Sequence, residues 1–170
     1  MLLLGAPQAQ PQTPPAQPRP NPCDAAEYRH FDFWLGDWAV RTPDGKLCGH
    51  NRISSIVGGR GLREEWQGAG GVTGTSLNIW SAERNAWHQT WIDSTGGLLL
   101  LDGGLRDGEM VMEGDGVGDE GRPIRHRITW AKVEGDVDRL RQHWETSADG
   151  GQTWETAFDG HYTRAARTED

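Results

Sequence analysis

Short segments of alternating side chains, separated by turn residues, fill the sequence from Trp38 to Arg164 and constrain its fold. Glycine is abundant, with 24 residues, and groups such as Pro43-Asp44-Gly45 and Gly96-Gly97 are typical of tight turns. Strands are predicted at residues 38–42, 46–57, 62–67, 73–81, 86–94, 97–102, 109–114, 124–132, 137–147 and 153–164. Because no crossover helix separates them, we expect an all-β, up-and-down antiparallel barrel of about ten strands. A β-sandwich is the alternative.

The N-terminal region differs in composition from the rest of the chain. Residues 7–22 hold seven of the nine prolines, interleaved with glutamine, which predicts an extended, disordered leader. Residues 1–6 are apolar but too short for the core of a signal peptide, and it stays open whether they are the remnant of one. We therefore divide the chain into a leader (1–24), a barrel domain with a short helical turn before its first strand (25–166) and a tail (167–170). Such a leader is typical of exported bacterial proteins, so we expect a periplasmic or secreted location.

Charge and hydropathy exclude two classes of partner. The formal net charge of −8 argues against binding to nucleic acid or to an anionic membrane surface. No apolar run approaches the roughly 20 residues that a membrane-spanning helix needs. Cys23 and Cys48 are the two cysteines, and the sequence leaves open whether they form a disulfide or are unrelated thiols.

Nine tryptophans stand on the predicted strands or beside them, several on the same face as amides and carboxylates. Because alternate side chains of a strand share a face, one set of positions predicts the lining of the barrel. An apolar wall with a few convergent polar groups is typical of a small-molecule pocket, so we expect a small hydrophobic or aromatic ligand. The predicted ligand-binding residues are Glu64, Trp66, Asn78, Gln89, Trp91, Asp93, Gln142 and Trp144. The alternative is a ligand-free barrel whose interior these side chains fill, with the amides satisfying one another.

Motifs for catalysis and cofactors give little support to an enzyme. The sequence has no nucleophile elbow, phosphate loop or dinucleotide fingerprint, and its six histidines lack the spacing of a zinc site. We therefore predict no catalytic residue, no metal and no cofactor. One enzymatic alternative stays open, in which Glu64 and Asp93 act as general acid and base on the bound molecule. Arg127 is a candidate structural partner for such carboxylates.

One segment resembles the entry of a known group of barrels. Gly36-Asp37-Trp38 is similar to the Gly-x-Trp entry of the lipocalins and the wider calycin barrels. In those folds the tryptophan closes one barrel end and a basic residue of the last strand lies across it, a role that the resemblance implies for Arg164. Nitrobindins, another calycin group, hold haem by a histidine of a late strand, which makes His161 the candidate ligand of a haem-binding alternative.

Residues 31–164 resemble a bacterial family of uncharacterised calycin-like proteins, the DUF1579 type. The matching segments are residues 31–38, 49–53, 64–66, 74–78, 87–93 and 141–145. The resemblance implies a calycin-like barrel and an exported protein, without an established activity. Members often carry a cysteine before the first motif, as Cys23 is here, and a second one where this chain has Arg60-Gly61.

Residues 147–154 fit the Asp-box motif, Ser-x-Asp-x-Gly-x-Thr-Trp, of sialidase propellers. In that motif the aspartate accepts hydrogen bonds from the turn and the tryptophan packs beneath it. A sialidase needs several copies and a longer chain. The single copy therefore predicts a hairpin turn rather than a glycosidase site.

Overall fold

The computed structural model describes residues 25–165, whose main feature is a closed barrel of ten antiparallel strands. The strands are β1 (Gly36–Arg41), β2 (Leu47–Ile56), β3 (Gly61–Gly68), β4 (Thr73–Ser81), β5 (Ala86–Asp93), β6 (Leu98–Arg106), β7 (Glu109–Val117), β8 (Pro123–Val133), β9 (Asp136–Ser147) and β10 (Glu155–Arg164). Each strand pairs with the next one along the chain, and β1 pairs with β10 to close the barrel. The predicted all-β, up-and-down antiparallel barrel is confirmed, and the sandwich alternative is wrong.

The predicted strand positions agree with the structure except at β6 and β7, which continue beyond their predicted ends at Asp102 and Gly114. The glycines in these strands permit a close approach of neighbouring backbones. A Cβ atom at Gly103 would meet the carbonyl oxygen of Val111, and one at Gly114 would meet that of Leu100. The glycines therefore allow the strands to continue.

Short 3₁₀ turns precede the barrel, at Ala26–Arg29 and Asp32–Trp34, as the sequence predicted. They cover one end of the barrel, where Phe31 and Trp34 are fully buried. The Phe31 ring stacks on Trp34 with a centroid distance of 4.8 Å and meets the edges of Trp87 and Trp130 at 5.7 and 5.2 Å. We call this the covered end. The opposite end, formed by the β1–β2, β3–β4, β5–β6, β7–β8 and β9–β10 hairpins, is the mouth end.

Trp38 and Arg164 join β1 to β10 at the covered end, in the arrangement that the resemblance implied. The Arg164 guanidinium carbon lies 4.3 Å from the centre of the Trp38 ring. The Trp38 indole Nε1 donates to the Trp34 carbonyl at 2.8 Å, and Arg164 Nη1 donates to the Leu35 carbonyl at 3.2 Å. This contact therefore fixes the 3₁₀ turns to the barrel wall.

Several predictions concern parts of the chain outside the described residues. These are the leader (1–24), the tail (167–170) and Cys23, so whether Cys23 pairs with Cys48 stays open. Cys48 is partly buried on β2. Between residues 25 and 165, no helix is long and apolar enough to cross a membrane.

Candidate functional site

A cavity of about 740 Å³ occupies the part of the barrel nearer the mouth end. Its lining includes Val72, Gly97 and Val117 from the hairpins of that end. The barrel therefore encloses free space, and its inward side chains do not fill it. The predicted ligand-binding residues that line the cavity are Glu64, Trp66, Gln89, Trp91, Asp93, Gln142 and Trp144. Asn78, the remaining one, is buried on β4, where it contacts Gln89.

The indole rings of the wall lie over glycines of neighbouring strands. The Cζ2 atom of Trp66 is 2.8 Å from the position that a Cβ of Gly49 would take, and the ring of Trp91 occupies the position of a Gly74 Cβ. A side chain at either glycine would push the ring away from the wall. Gly49 and Gly74 thus allow the two indole rings to lie against the wall, so the centre of the barrel stays open.

His126 and Trp144 form a hydrogen-bonded pair on the cavity wall. Trp144 Nε1 donates to His126 Nδ1 at 3.1 Å, and the rings are 5.5 Å apart. Burial lowers the pKa of His126, which favours the neutral imidazole. With Nδ1 as an acceptor, the neutral ring carries its hydrogen on Nε2 and offers a donor.

Asp93 stabilises the β5–β6 hairpin at the mouth end by accepting hydrogen bonds from its turn. Its Oδ1 accepts from the backbone N–H groups of Thr95 and Gly97 at 2.8 and 3.0 Å, and its Oδ2 accepts from Trp91 Nε1 at 3.2 Å. The Thr95 hydroxyl also donates to Oδ1, at 2.6 Å. This bond makes the largest contribution to lowering the pKa of Asp93, which the hydrogen bonds together bring to about 2. Asp93 is therefore an ionised turn residue at neutral pH, so in the acid–base hypothesis it could act only as the base, with Glu64 as the acid.

A chain of buried side-chain hydrogen bonds crosses the barrel below the cavity. We call it the polar belt; its members are Asn51, Glu64, Ser76, Asn78, Gln89, Gln142 and Tyr162.

On one side of Glu64 the belt passes across the sheet from β5 through β4 to β3. Gln89 Nε2 donates to Asn78 Oδ1 at 2.7 Å, and Asn78 Nδ2 donates to Ser76 Oγ at 2.9 Å. Ser76 Oγ donates in turn to Glu64 Oε2 at 2.7 Å. These three hydrogen bonds form a chain of donors that ends at the Glu64 carboxylate.

On the other side of Glu64 the belt passes from β3 to β2, and then to β10 and β9. Asn51 Nδ2 donates to Glu64 Oε1 at 2.8 Å and to Tyr162 Oη at 3.1 Å. Tyr162 Oη donates to Gln142 Oε1 at 2.6 Å. The Oδ1 atom of Asn51 is buried and has no hydrogen-bond partner in the described part of the chain.

Glu64 is the one carboxylate of the belt and is only 4% exposed. Burial raises its pKa to about 7, although the hydrogen bonds from Ser76 and Asn51 act in the opposite direction. No charged group in the described part of the chain contributes to this shift. Glu64 therefore changes its charge near neutral pH.

Two other residues considered from the sequence lie on the outer face. His161 is half exposed and lies 3.4 Å from Asp159, because the neighbouring Tyr162 takes the inward position. The haem alternative based on His161 therefore lacks a ligand inside the barrel. Arg127 does not reach Glu64 or Asp93; its Nε donates to Glu145 at 3.0 Å, and its guanidinium lies over Trp154.

Sequence reasoning missed several residues of the lining, which are Leu99, His126, Ile128, Phe158 and Tyr162. Alternation on β8 was a usable signal, since His126 and Ile128 share a face with the fully buried Trp130. Clusters of three or more His, Cys, Asp or Glu side chains able to hold a metal ion do not occur among residues 25–165.

Neither a family model nor a curated protein matches this chain. The resemblance to the DUF1579 type therefore rests on the sequence motifs alone.

Proposed function

We propose that this protein is an exported, calycin-like β-barrel of the DUF1579 type that binds a small apolar or aromatic molecule. The observation that carries the proposal is the cavity of about 740 Å³, bounded by the indoles of Trp66, Trp91 and Trp144. Small-molecule sites commonly have volumes of ~300–1,000 Å³ and apolar walls with a few polar groups. The cavity agrees with this description in size and in lining.

The wall is preformed, which favours binding. Trp66 and Trp91 are held against glycines, and Gln89 is fixed by its bond to Asn78. A site that needs no rearrangement loses little conformational entropy when it binds a ligand. We expect the free and bound proteins to have the same cavity wall.

Two polar groups of the wall can orient a ligand. Gln142 accepts from Tyr162 through its Oε1, which leaves its NH₂ group as a donor. His126 offers its Nε2 hydrogen in the neutral form. A ligand with an apolar body and one or two polar atoms is complementary to this lining.

Export is supported by composition. The proline- and glutamine-rich leader is typical of segments that separate an export signal from a folded domain. Location in the periplasm or outside the cell would place the cavity in contact with molecules from the surroundings.

The binding proposal is tested by calorimetric titration with 4-phenylbutan-1-ol, 4-phenylbutylamine and 4-phenylbutyrate. We expect at least one of them to bind the wild-type protein with one site per chain. Gly74→Ala should weaken that binding about tenfold, because its methyl group pushes the Trp91 ring into the cavity.

Gly104→Ala is the matched control, since a Cβ at Gly104 meets no atom within 4 Å. It should bind as the wild type does. Absence of binding by all three compounds, or equal affinities of the Gly74→Ala and wild-type proteins, would contradict a ligand site in this cavity.

A further inference from the structure

Glu64 is a buried carboxylate that has no positively charged partner among residues 25–165. It lies on β3, lines the cavity and is 4% exposed. The ion pairs of the described residues join other carboxylates to Arg or His side chains on the outer face and around the turns. An uncompensated buried charge is costly, and a partner inside the barrel would stabilise it.

The protein satisfies only part of the hydrogen-bonding capacity of this carboxylate. Ser76 donates to Oε2 and Asn51 donates to Oε1, so residues 25–165 supply one donor to each oxygen. A carboxylate oxygen has about two acceptor positions, so each oxygen keeps one. Because Glu64 also lines the cavity, a ligand that enters can donate to it.

The indole faces and the carboxylates around the cavity favour a cationic donor, while Gln142 and His126 offer donors to any acceptor atom of the ligand. The faces of Trp66, Trp91 and Trp144 carry the negative part of the ring quadrupole, which attracts ammonium groups. Asp93 adds a second negative charge at the mouth end. His126 is favoured in its neutral form by burial and then adds no opposing charge.

We propose that Glu64 is the recognition residue for a protonated amine, so that the ligand class is an aromatic or apolar amine. The ammonium group donates to Glu64, and the apolar body lies among the indoles. This inference rests on the proposed binding function and adds to it the chemistry of the ligand. A hydrogen bond between two charged groups is stronger than one between neutral groups and also compensates the buried charge.

The experiment compares three compounds of one shape at pH 8, by calorimetric titration of the full chain. They are 4-phenylbutylamine, 4-phenylbutan-1-ol and 4-phenylbutyrate, which carry a cation, a neutral hydroxyl and an anion on related phenylalkyl chains. We expect the wild type to bind the amine about tenfold or more tightly than the alcohol, and the acid most weakly.

Two variants separate Glu64 from the general charge of the protein. Glu64→Gln should lose the preference for the amine and keep its affinity for the alcohol. Glu65→Gln removes the charge of the adjacent residue, which pairs with Arg63 at 2.8 Å on the outer face, and should keep the preference. If Glu64→Gln does not fold, the wild-type order of amine over alcohol decides by itself.

The outcomes distinguish this inference from the binding function. An alcohol that binds the wild type as tightly as the amine overturns the inference, as does a preference retained by folded Glu64→Gln; the binding function then stands. Failure of all three compounds to bind overturns both.

Discussion

Burial of Glu64 makes the stability of the barrel depend on pH. Its pKa is about 7 in the folded protein and has an ordinary value of 4.5. Between these values the folded state binds more protons than the unfolded state, so the free energy of unfolding falls as the pH rises. The stabilisation by Glu64 is complete below pH 4.5 and is lost by pH 7, a change of about 3 kcal/mol.

Comparison with Glu64→Gln isolates this contribution. His126, whose pKa is lowered by burial, acts in the opposite direction, because its stabilisation is lost as the pH falls. The difference between wild type and variant removes this background. We expect urea unfolding to give equal stabilities at pH 4 and a variant more stable by about 3 kcal/mol at pH 8. A difference that does not change with pH would show that the carboxyl group does not titrate in this range.

At the scale of the element, the β9–β10 hairpin depends on two side chains of the Asp-box. Asp149 Oδ1 accepts from the backbone N–H groups of Gln152 and Thr153, both at 2.9 Å. Ser147, which is buried, donates to Asp149 at 2.7 Å and accepts from the Gly151 N–H at 2.8 Å. The predicted turn role of the motif is confirmed.

Ser147→Ala should therefore destabilise the protein. The Gly151 N–H loses its acceptor at a partly buried position, which costs about 1–2 kcal/mol. Ser55→Ala, at an exposed position of β2, should change the free energy of unfolding by less than about 0.5 kcal/mol. Both values come from urea unfolding, and equal values for the two variants would argue against a stabilising role of the turn bonds.

Alternation of side chains located the strands because each strand has one face toward the interior and one toward water. It failed at Gly103 and Gly114, since a glycine in a sequence has the same appearance whether it forms a turn or permits close contact between strands. Alternation also identified the inward face that carries Glu64 and Gln89. It could not place Asn78 outside the cavity lining, because the depth of a residue depends on contacts between strands that are distant in the sequence.

At the scale of the whole molecule, the barrel has two halves with different contents. The covered end is packed with fully buried rings, among them Trp34, Trp87 and Trp130. The mouth end contains the cavity, bounded by the partly buried Trp66 and Trp144. The polar belt lies between them and joins six strands. Packing at the covered end stabilises the fold and leaves the other half free to enclose a ligand.

From this division we predict that replacing a tryptophan of the covered end mainly lowers the stability, and that replacing one of the cavity wall mainly lowers the affinity for a ligand. Trp34→Ala removes a ring without solvent exposure and should cost about 3–5 kcal/mol in urea unfolding. The affinity of its folded fraction for 4-phenylbutan-1-ol should change by less than about threefold, because Trp34 lies outside the cavity lining. Trp66→Ala should show the reverse, with about tenfold weaker binding and a stability loss of about 1 kcal/mol. Proportional losses of stability and affinity in both variants would mean that the covered end and the cavity form a single cooperative unit.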